Sequence, residues 1–525
     1  MYVGIDLGTT YCAVAYKNET SLDVIYFPPQ GNKSMASVVA FGEDVIMYNL
    51  DAKNLNRSQP ETYLYDSKRF IGKTFDYFSK YFDENEMNFK IENDTNNKPT
   101  YSVNYKNEIR KFKPEEVSAL ILRELKRITE EKTGQNIEGC VITVPAHFTN
   151  NEREATLFAA ELAGLNVIQL LNEPSAAAIA YGIERSIEGY ILVFDFGGGT
   201  LDISVVNIED IRKNKIVVLG YGGDQKLGGR DIDNILFNYC TECFQADFGI
   251  AHDTPKKKAI LLENCEFAKI SLSEGRKPKV DIFDWNHEKK TILTKEKFEV
   301  LCKPYFEKAM NAMKKLLLDV VNIDKDKIKD VVMTGGSSNI IFIQKMIEEF
   351  FGKKPKCYDT ITAIAKGAAI VAYDKKKEFK NLDLVDQVKY SLGVESKNSN
   401  GDRALFSKII KSRTQLPCDG EKTFKTTLDN QVSCAIKIAE GEEDYFEENS
   451  FIDQFILENL PIKKAGEVTI KILLSVDRSG MLVVTAEENT SGIKKSLEIK
   501  KEGSFYKQNE KLLIKKSFMD FIVNE

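Results

Sequence analysis

Residues 190–206 read YILVFDFGGGTLDISVV, an apolar run followed by an aspartate, three glycines, a threonine and an alternating second run. This order predicts two strands joined by a glycine turn. Because glycine has no Cβ, the amides of Gly197, Gly198 and Gly199 can curve closely around anionic oxygens. Asp195 ends the first strand, where it is placed to hold a hydrated Mg²⁺. The segment predicts a polyphosphate site, although a tight glycine turn alone would explain the same residues.

A related segment stands near residue 6, where an apolar strand runs into DLGTT at 6–10 and a second strand follows. Two strand-aspartate-glycine-threonine segments about 190 residues apart indicate a duplicated domain that holds one nucleotide between its halves. A third glycine turn, TGGSS at 334–338, lies between a strand pattern and a helical pattern. Its amides are expected to face the nucleotide from a helix N-terminus.

Length and composition indicate a globular protein with several domains. The 525 residues predict two to four domains, and 42% hydrophobic with 29% charged residues is an ordinary globular composition. The net charge of -6 gives no general attraction to nucleic acid or to acidic membranes. No apolar run reaches the roughly 18 residues of a membrane span. We therefore expect neither nucleic acid nor membrane as a partner.

The nine cysteines are scattered, and several stand in apolar strand patterns, as reduced buried thiols do. Cys240 and Cys243 have a metal-like spacing, but with three histidines in the chain a helix is favoured over a zinc site. Strand residues follow Met1 at once, so we expect no targeting leader and a cytoplasmic location.

The pattern of secondary structure changes near residue 381. Before it, strands alternate with helical patterns, one of which begins at Pro114 and ends before Gly134, as in an α/β domain. After it, short alternating strands such as Met481–Ala486 predict an all-β domain. The polar, Asn-rich stretch 83–108 is predicted to be a surface excursion. The predicted boundaries are an α/β domain at 1–380, a linker at 381–388, an all-β domain at 389–501 and a short helical tail at 502–525.

Five motifs in order carry a family resemblance: GIDLGTTY at 4–11, VITVPAHF at 141–148, LLNEPSAAAIAYG at 170–182, LVFDFGGGTLDIS at 192–204 and KLGGRDID at 226–233. With them the chain resembles the 70-kilodalton heat-shock (DnaK-type) chaperones, within the actin, sugar-kinase and chaperone ATPase superfamily. The resemblance extends to about residue 500. It implies an actin-like, duplicated ribonuclease-H-like α/β ATPase domain followed by a small all-β sandwich that binds peptides.

The resemblance implies hydrolysis of ATP to ADP and phosphate, with Mg²⁺ and with K⁺ as a further candidate ion. Lys68 matches the lysine that reaches the γ-phosphate and orients the attacking water, and Glu173 matches the carboxylate that acts on this water. Asp6 and Asp195 match the pair that holds Mg²⁺ through waters. The remaining phosphate contacts are expected from hydroxyls and amides of the glycine turns, namely Gly8, Thr9, Thr10, Tyr11, Gly197, Gly198, Gly199 and Thr200.

Adenosine is expected against three groups of residues: Gly228 and Gly229; Glu266, Lys269 and Ser273; and Gly335, Gly336 and Ser337. The middle group has the spacing i, i+3, i+7 and therefore shares one helix face, although such a polar stripe is often a solvated face. Two departures lie nearby, because Ile270 and Asn339 stand where many eukaryotic cytosolic members carry arginines. Nucleotide affinity is therefore expected to be lower than in those relatives.

Coupling between the two domains is implied by Pro145, Arg153 and Asp386, which match the family's proline switch, arginine relay and linker aspartate. The alternative is structural, since a proline can end a strand and an arginine can fill a helix turn. The linker resembles the apolar segment that docks on the ATPase domain when ATP is bound, and an edge strand is the alternative. Asp383 interrupts it, so weaker docking is expected.

The residues that resemble the lining of the family's peptide channel are Phe406, Phe424, Thr427, Cys434 and Ile436, most of which could instead be ordinary sandwich core. Such a channel binds an extended peptide through backbone hydrogen bonds and side-chain pockets. Only about 24 residues follow the β domain, enough for a single helix and not for the family's helical lid. Fast peptide exchange and modest affinity are therefore expected.

The function implied is that of an ATP-dependent molecular chaperone in protein folding and the stress response. Hydrolysis would switch its affinity for extended apolar segments of unfolded proteins. A J-domain co-chaperone and a nucleotide exchange factor are expected partners of a monomer. One alternative is a non-enzymatic, ATP-binding regulator or exchange factor of another chaperone. A second is a small-molecule kinase or filament protein, which leaves the β domain unexplained.

Overall fold

The computed structural model describes residues 1–29, 31–82, 87–210, 215–273, 275, 277–377, 382–397, 403–498 and 505–525. They divide into two compact units, of which the first comprises Met1–Ala146 and Ala159–Leu384 and the second His147–Phe158 and Val385–Glu525. The grouping of 147–158 with the second unit differs from the sequence-based division. Parts of three predicted segments lie outside the described residues: 83–86 of the excursion, 378–381 around the linker start, and 499–504 between sandwich and tail.

The described strands number from β1 to β28. Those that begin in the first unit are β1 (Tyr2–Asp6), β2 (Tyr11–Lys17), β3 (Leu22–Val24), β4 (Met35–Ala36), β5 (Val39–Phe41), β6 (Ile46–Tyr48), β7 (Tyr63–Leu64), β8 (Lys90–Asn93), β9 (Pro99–Tyr105), β10 (Glu108–Phe112), β11 (Gly139–Val144), β12 (Val167–Asn172), β13 (Gly189–Phe196), β14 (Leu201–Asp210), β15 (Lys215–Asp224), β16 (Lys279–Phe283), β17 (Lys290–Thr294), β18 (Ile328–Thr334), β19 (Lys356–Cys357) and β20 (Asp383–Val385). Those of the second unit are β21 (Ser391–Ser396), β22 (Leu405–Ile410), β23 (Cys418–Lys425), β24 (Ser433–Gly441), β25 (Ser450–Glu458), β26 (Thr469–Val476), β27 (Leu482–Glu488) and β28 (Lys494–Glu498).

The described α-helices are α1 (Asn49–Asn56), α2 (Ser67–Phe70), α3 (Phe75–Tyr81), α4 (Pro114–Thr133), α5 (Asn150–Leu162), α6 (Glu173–Arg185), α7 (Gly229–Phe248), α8 (Pro255–Ser273), α9 (Lys295–Lys315), α10 (Ile341–Phe351), α11 (Ala363–Lys376) and α12 (Gln508–Val523). Helix α4 begins at Pro114, and Gly134 ends it with φ of 65°, so both predicted signals are used. Cys240 and Cys243 lie in α7, with Cys240 in the apolar core. In the described part of the chain no helix has both the length and the apolar character needed to cross a bilayer.

The two large sheets of the first unit repeat one pattern of strand pairing. One has the order β12-β11-β1-β2-β3, with β1 parallel to β11 and antiparallel to β2. The other has the order β19-β18-β13-β14-β15-β20, with β13 parallel to β18 and antiparallel to β14. The repeat confirms the predicted fold class for this unit, a duplicated α/β architecture. It also gives each glycine turn the same place, at the end of a parallel strand.

Strand β13 is buried on both faces, which explains its continuous apolar sequence. Ile191 and Val193 enter one core, formed with α6 and α11. Leu192, Phe194 and Phe196 enter a second core, formed with α7, α8 and α9. The two cores fix the strand that carries Asp195 next to its last residue.

Helix α11 packs closely because small residues line its contacts. A Cβ at Gly367 would stand 1.9 Å from the carbonyl oxygen of Ala176 on α6, and one at Gly4 on β1 would stand 2.1 Å from the backbone nitrogen of Ala369. Substitution at either glycine would force backbone apart. The approach fixes β1 and α6, which carry Asp6 and Glu173 at their ends.

The prediction of a surface excursion at 83–108 is wrong for the residues that the structure describes. Strands β8, β9 and β10 form a sheet in the order β10-β9-β8. Tyr101, Val103 and Tyr105 on β9 are at most 2% exposed. Their spacing is the period of two of a half-buried strand, and the abundance of asparagine obscured it.

The second unit contains two four-stranded antiparallel sheets, in the orders β22-β21-β24-β25 and β23-β26-β27-β28. Strand β26 alternates strictly between half-buried and buried residues, as a sheet with one covered face requires. Its buried residues join those of β24, β25 and β27 in one core. This arrangement confirms the predicted β-sandwich.

Segment 147–158 and the tail contact each other within the second unit. The rings of Phe158 and Tyr506 lie 5.6 Å apart, and Tyr506 is fully buried. Lys511 on α12 forms an ion pair of 2.6 Å with Glu154. These contacts explain why 147–158 is grouped with this unit.

Candidate active site

Lys68 and Glu173 form a buried ion pair in the first unit. Lys68 lies on the short helix α2, and Glu173 is the first residue of α6. The Lys68 ammonium donates a hydrogen bond to Oε1 of Glu173, and each side chain is 7% exposed. A carboxylate at a helix N-terminus is also favoured by the helix dipole. The pair therefore places one fixed ammonium and one fixed carboxylate side by side.

Three further carboxylates surround this pair at strand ends. Asp6 ends β1, Asp195 lies near the end of β13, and Asp202 faces Asp195 across the β13–β14 ladder. All three side chains are buried. Thr143 donates a hydrogen bond of 3.4 Å to Asp6, and the Ala146 amide donates one of 3.0 Å to Asp202.

The electrostatics of this cluster favour an added cation. Burial, and next the charge of Glu173, raises the pKa of Asp6 to about 7. Burial likewise raises the pKa of Asp195 well above its usual range, with Glu173 and Asp202 adding to it. Burial opposes the charge of Lys68, but Glu173 and Asp6 hold its pKa above the ordinary value. Four carboxylates thus face the single charge of Lys68, an imbalance that a divalent cation would relieve.

The donor set fits Mg²⁺, which prefers carboxylate oxygens and is usually held by one or two carboxylates together with waters. Asp6 and Asp195 are those carboxylates. Among the described residues no three Asp, Glu, His or Cys side chains converge tightly enough to hold a metal ion directly.

The two hairpin turns touch each other above the carboxylates. A Cβ at Gly198 would stand 2.2 Å from Oγ1 of Thr10, and a Cβ at Gly199 would stand 2.6 Å from Oγ1 of Thr9. Real Cβ atoms do not approach that closely, so only glycine fits these positions. The Gly197 amide donates a hydrogen bond of 3.0 Å to the carbonyl of Thr200 and closes the second turn.

The third glycine turn meets the second. Gly335 has φ of 81°, and a Cβ there would stand 2.6 Å from Oδ1 of Asp195. The Ser337 hydroxyl donates a hydrogen bond of 2.8 Å to the carbonyl of Gly197. The structure thus brings the three predicted turns together, with Gly336 following Gly335 in a short 3₁₀ turn. Gly8 and Tyr11 belong to the first turn, where a Cβ at Gly8 would stand 2.1 Å from the Tyr11 carbonyl.

The predicted adenosine residues lie beside these turns. The Gly229 amide donates a hydrogen bond of 3.0 Å to Gly197, and a Cβ at Gly228 would collide with Gly198. On α8, Lys269 donates one of 3.0 Å to the Gly229 carbonyl and forms an ion pair of 2.8 Å with Asp233. Glu266 lies 4.0 Å from Lys53, and Ser273 is 6% exposed. Two residues of the predicted polar stripe, Glu266 and Lys269, therefore interact with other side chains and backbone of this chain.

Sequence reasoning missed two residues of the site. Asp202 stands within the glycine motif, seven residues after Asp195 and directly opposite it in the strand ladder. Arg69 donates hydrogen bonds to the Gly199 carbonyl at 3.1 Å and to Asp231 at 2.9 Å. Asp202 and Arg69 each lie next to residues that the sequence analysis predicted. For Asp202, the available signal was the alternation of apolar and polar residues in the sequence of β14.

Two of the three predicted coupling residues belong to the second unit. Pro145 directly follows β11 in the first unit. Arg153 donates hydrogen bonds of 3.2 Å to the carbonyls of Phe148 and Ser479. Asp386 is 7% exposed, and its carbonyl accepts a hydrogen bond of 2.8 Å from Leu416.

The predicted peptide contacts separate into two groups. Ile436 is buried in the sandwich core. Phe424 and Cys434 are partly buried and pack against this core. Thr427 is exposed in the loop after β23. Phe406 instead packs with Ala439 and Phe446 in a separate apolar cluster, so the structure does not place it with the others.

Comparison with known proteins gives one consistent result. The chain matches a family model described as Hsp70 protein over residues 2–520. It is 34% identical over 502 residues to a heat shock 70 kDa protein of Neurospora crassa, which covers 93% of this chain and 76% of the relative. Heat shock cognate 70 kDa protein 3 of Dictyostelium discoideum is 35% identical, with 93% and 78% covered. A ribosome-associated molecular chaperone of Saccharomyces cerevisiae is 35% identical, with 95% and 81% covered.

Proposed function

Because the chain belongs to the Hsp70 family of molecular chaperones, we propose that its first unit hydrolyses ATP and that this reaction controls peptide binding by its second unit. The observation that carries the proposal is the Lys68–Glu173 pair among three further buried carboxylates. Three glycine turns meet beside this cluster. Few arrangements other than a phosphoryl-transfer site call for all of these features together.

Phosphoryl transfer to water needs charge neutralisation and a positioned nucleophile more than covalent help. The fixed ammonium of Lys68 supplies positive charge where the γ-phosphate would develop negative charge. Glu173, hydrogen-bonded to Lys68, is placed to orient the attacking water and to accept its proton. The amides of Gly198 and Gly199, with the hydroxyls of Thr10 and Thr200, would bind the phosphate oxygens, whereas the Gly197 amide is already bonded to the Thr200 carbonyl.

Asp6 and Asp195 are the residues that would hold Mg²⁺ through its waters. When bound, the ion neutralises phosphate charge and the surplus of carboxylates. Asp202 stands beside Asp195, and the Ala146 amide donates a hydrogen bond to it. We therefore propose that Asp202 helps to position the waters around this ion.

The second unit is proposed to bind extended apolar peptide segments along Phe424, Thr427, Cys434 and Ile436. Half-buried Phe424 and Cys434 at the edge of the sandwich core offer apolar contacts, and exposed strand backbone offers hydrogen bonds. A J-domain co-chaperone, an exchange factor and a cytoplasmic location belong to this proposal through the family.

Single-turnover hydrolysis of labelled ATP tests the enzymatic part. Wild-type chain is compared with Lys68→Ala and Thr200→Ala, and the exposed Lys90→Ala serves as the matched control. We expect hydrolysis by wild type and Lys90→Ala and loss of at least about two orders of magnitude in the other two variants. Wild-type turnover no faster than that of Lys68→Ala would instead favour the non-enzymatic regulator.

A further inference from the structure

Two loops of the second unit are joined into one rigid edge, here called the rim and defined as residues 425–433 and 459–467. Hydrogen bonds run from Asn430 to the Lys463 carbonyl at 2.8 Å and from Leu460 to the Val432 carbonyl at 3.0 Å. A third runs from the Gly466 amide to the Thr426 carbonyl at 2.8 Å. The rim is therefore a fixed surface rather than a pair of independent loops.

The rim exposes three large apolar side chains. Leu428 is 62% exposed, Val432 is 53% exposed and Ile462 is 72% exposed. Because the loop backbones are hydrogen-bonded to each other, these side chains project from a fixed backbone. A grouped, rigidly held apolar surface of this kind is typical of an interaction site.

This apolar surface continues the predicted peptide contacts. Successive side chains of a strand alternate between its faces, so Val432, Cys434 and Ile436 lie in one row. Ile436 is 4% exposed and Cys434 is half-buried. The row thus runs outward from the sandwich core to the rim without interruption. A peptide that contacts Cys434 would reach Val432 with its next side chains.

The rim also carries a net positive charge, with the three lysines Lys425, Lys463 and Lys464 against the two carboxylates Asp429 and Glu467. In the described part of the chain no carboxylate lies within ion-pair distance of Lys425, Lys463 or Lys464. The two carboxylates of the rim are turned toward loop backbone. Asp429 accepts a hydrogen bond of 2.8 Å from the Ala465 amide, and Glu467 accepts one of 3.2 Å from the Lys464 amide. The ammonium groups therefore remain available to a bound partner.

We propose that the rim extends the peptide site and selects extended segments in which apolar residues are flanked by aspartate or glutamate, an inference that rests on the peptide binding proposed above. The apolar residues of such a segment cover Leu428, Val432 and Ile462. Its carboxylates lie against the rim lysines. A lysine-flanked segment would meet like charge there.

Fluorescence anisotropy with the full chain tests the proposal. Three labelled peptides share one leucine-rich core and differ in flanking Asp, Asn or Lys residues, so that Asp and Asn are matched in shape. We expect the Asp-flanked peptide to bind about two- to ten-fold more tightly than the Asn-flanked one, as a few exposed ion pairs allow. The Lys-flanked peptide binds most weakly, and 0.5 M salt, about a 4 Å screening length, reduces all differences.

Two variants separate charge from apolar contact. The triple change Lys425→Gln, Lys463→Gln and Lys464→Gln is expected to bring the Asp-to-Asn affinity ratio to about one. The matched control, Lys494→Gln with Lys495→Gln on exposed β28, keeps the wild-type ratio. Leu428→Ser with Ile462→Ser weakens binding of all three peptides.

The outcomes distinguish this inference from the proposed function. Equal affinity for the Asp- and Asn-flanked peptides overturns the rim proposal and leaves peptide binding intact. Failure of every peptide to bind overturns both. An Asp preference that persists in the triple lysine variant shows that other residues select the charge, and it also overturns the proposal.

Discussion

The ammonium of Lys68 donates a hydrogen bond to the carboxylate of Glu173, 105 residues further along the chain, and both side chains are 7% exposed. A charge buried to this extent depends on its partner, because water no longer solvates it. The pair thus links the stability of the first unit to its proposed chemistry. The two roles are separable by experiment.

Removing one residue of the Lys68–Glu173 pair is expected to lower the free energy of unfolding more than removing both. Lys68→Met leaves the buried Glu173 carboxylate without this ammonium, which should lower the free energy of unfolding by about 3–5 kcal/mol. Lys68→Met with Glu173→Leu should regain most of this loss, while hydrolysis stays absent from both variants. Urea denaturation checks the stabilities, with Lys90→Met at the exposed Lys90–Glu92 pair as control. Equal stability of single and double variants would contradict the account.

The contact between glycine turns predicts a difference between two glycines. Gly198→Ala places a Cβ 2.2 Å from the Thr10 hydroxyl oxygen, whereas Gly336→Ala places one in open space. Overpacking of this kind costs about 1–3 kcal/mol. Thermal unfolding without nucleotide should therefore show a lower midpoint for Gly198→Ala and a wild-type midpoint for Gly336→Ala. The same midpoint for both would mean that the turns do not touch.

Glu116 predicts a pH-dependent stability. Burial raises its pKa to about 7, although the Lys113 amide donates a hydrogen bond of 2.8 Å to it. The folded state then keeps this proton to higher pH than the unfolded state, so stability falls as pH rises from about 4.5 to 7. Glu116→Gln removes the titration and should gain on the order of 3 kcal/mol over wild type at pH 8, and none at pH 4.5.

Urea denaturation between pH 4.5 and 8 measures this gain. The control is Glu131→Gln, which removes an exposed carboxylate from the same helix and so separates the loss of a charge from the loss of a buried carboxyl. A constant difference between wild type and Glu116→Gln across the range would show that Glu116 titrates normally.

The local parts of the site were predictable from the sequence. The glycine turns follow from runs such as Gly197–Gly199, in which Gly198 and Gly199 have no room for a Cβ. Apolar strands on either side set the register. Lys68 and Glu173 were identified through the family resemblance, because nothing local to either residue indicates a partner 105 positions away.

Other features depend on tertiary contacts that no single segment encodes. Lys269 pairs with Asp233 on the neighbouring helix α7, and spacing along α8 alone could not indicate this. Phe406 packs with Ala439 and Phe446 and apart from the other predicted peptide contacts, because its place depends on which strands pair. In 87–108 the buried Tyr101 was hidden by polar neighbours that occupy the opposite face and the turns.

Release of a bound peptide by ATP tests the central claim most directly. Full chain carrying a fluorescent apolar peptide is mixed rapidly with Mg²⁺ and ATP, with ADP, or with buffer. We predict that ATP speeds release at least about ten-fold, which corresponds to a release barrier lower by about 1.4 kcal/mol, and that Gly198→Ala abolishes the acceleration. Release at one rate under all three conditions from wild-type chain that binds the peptide would contradict the account.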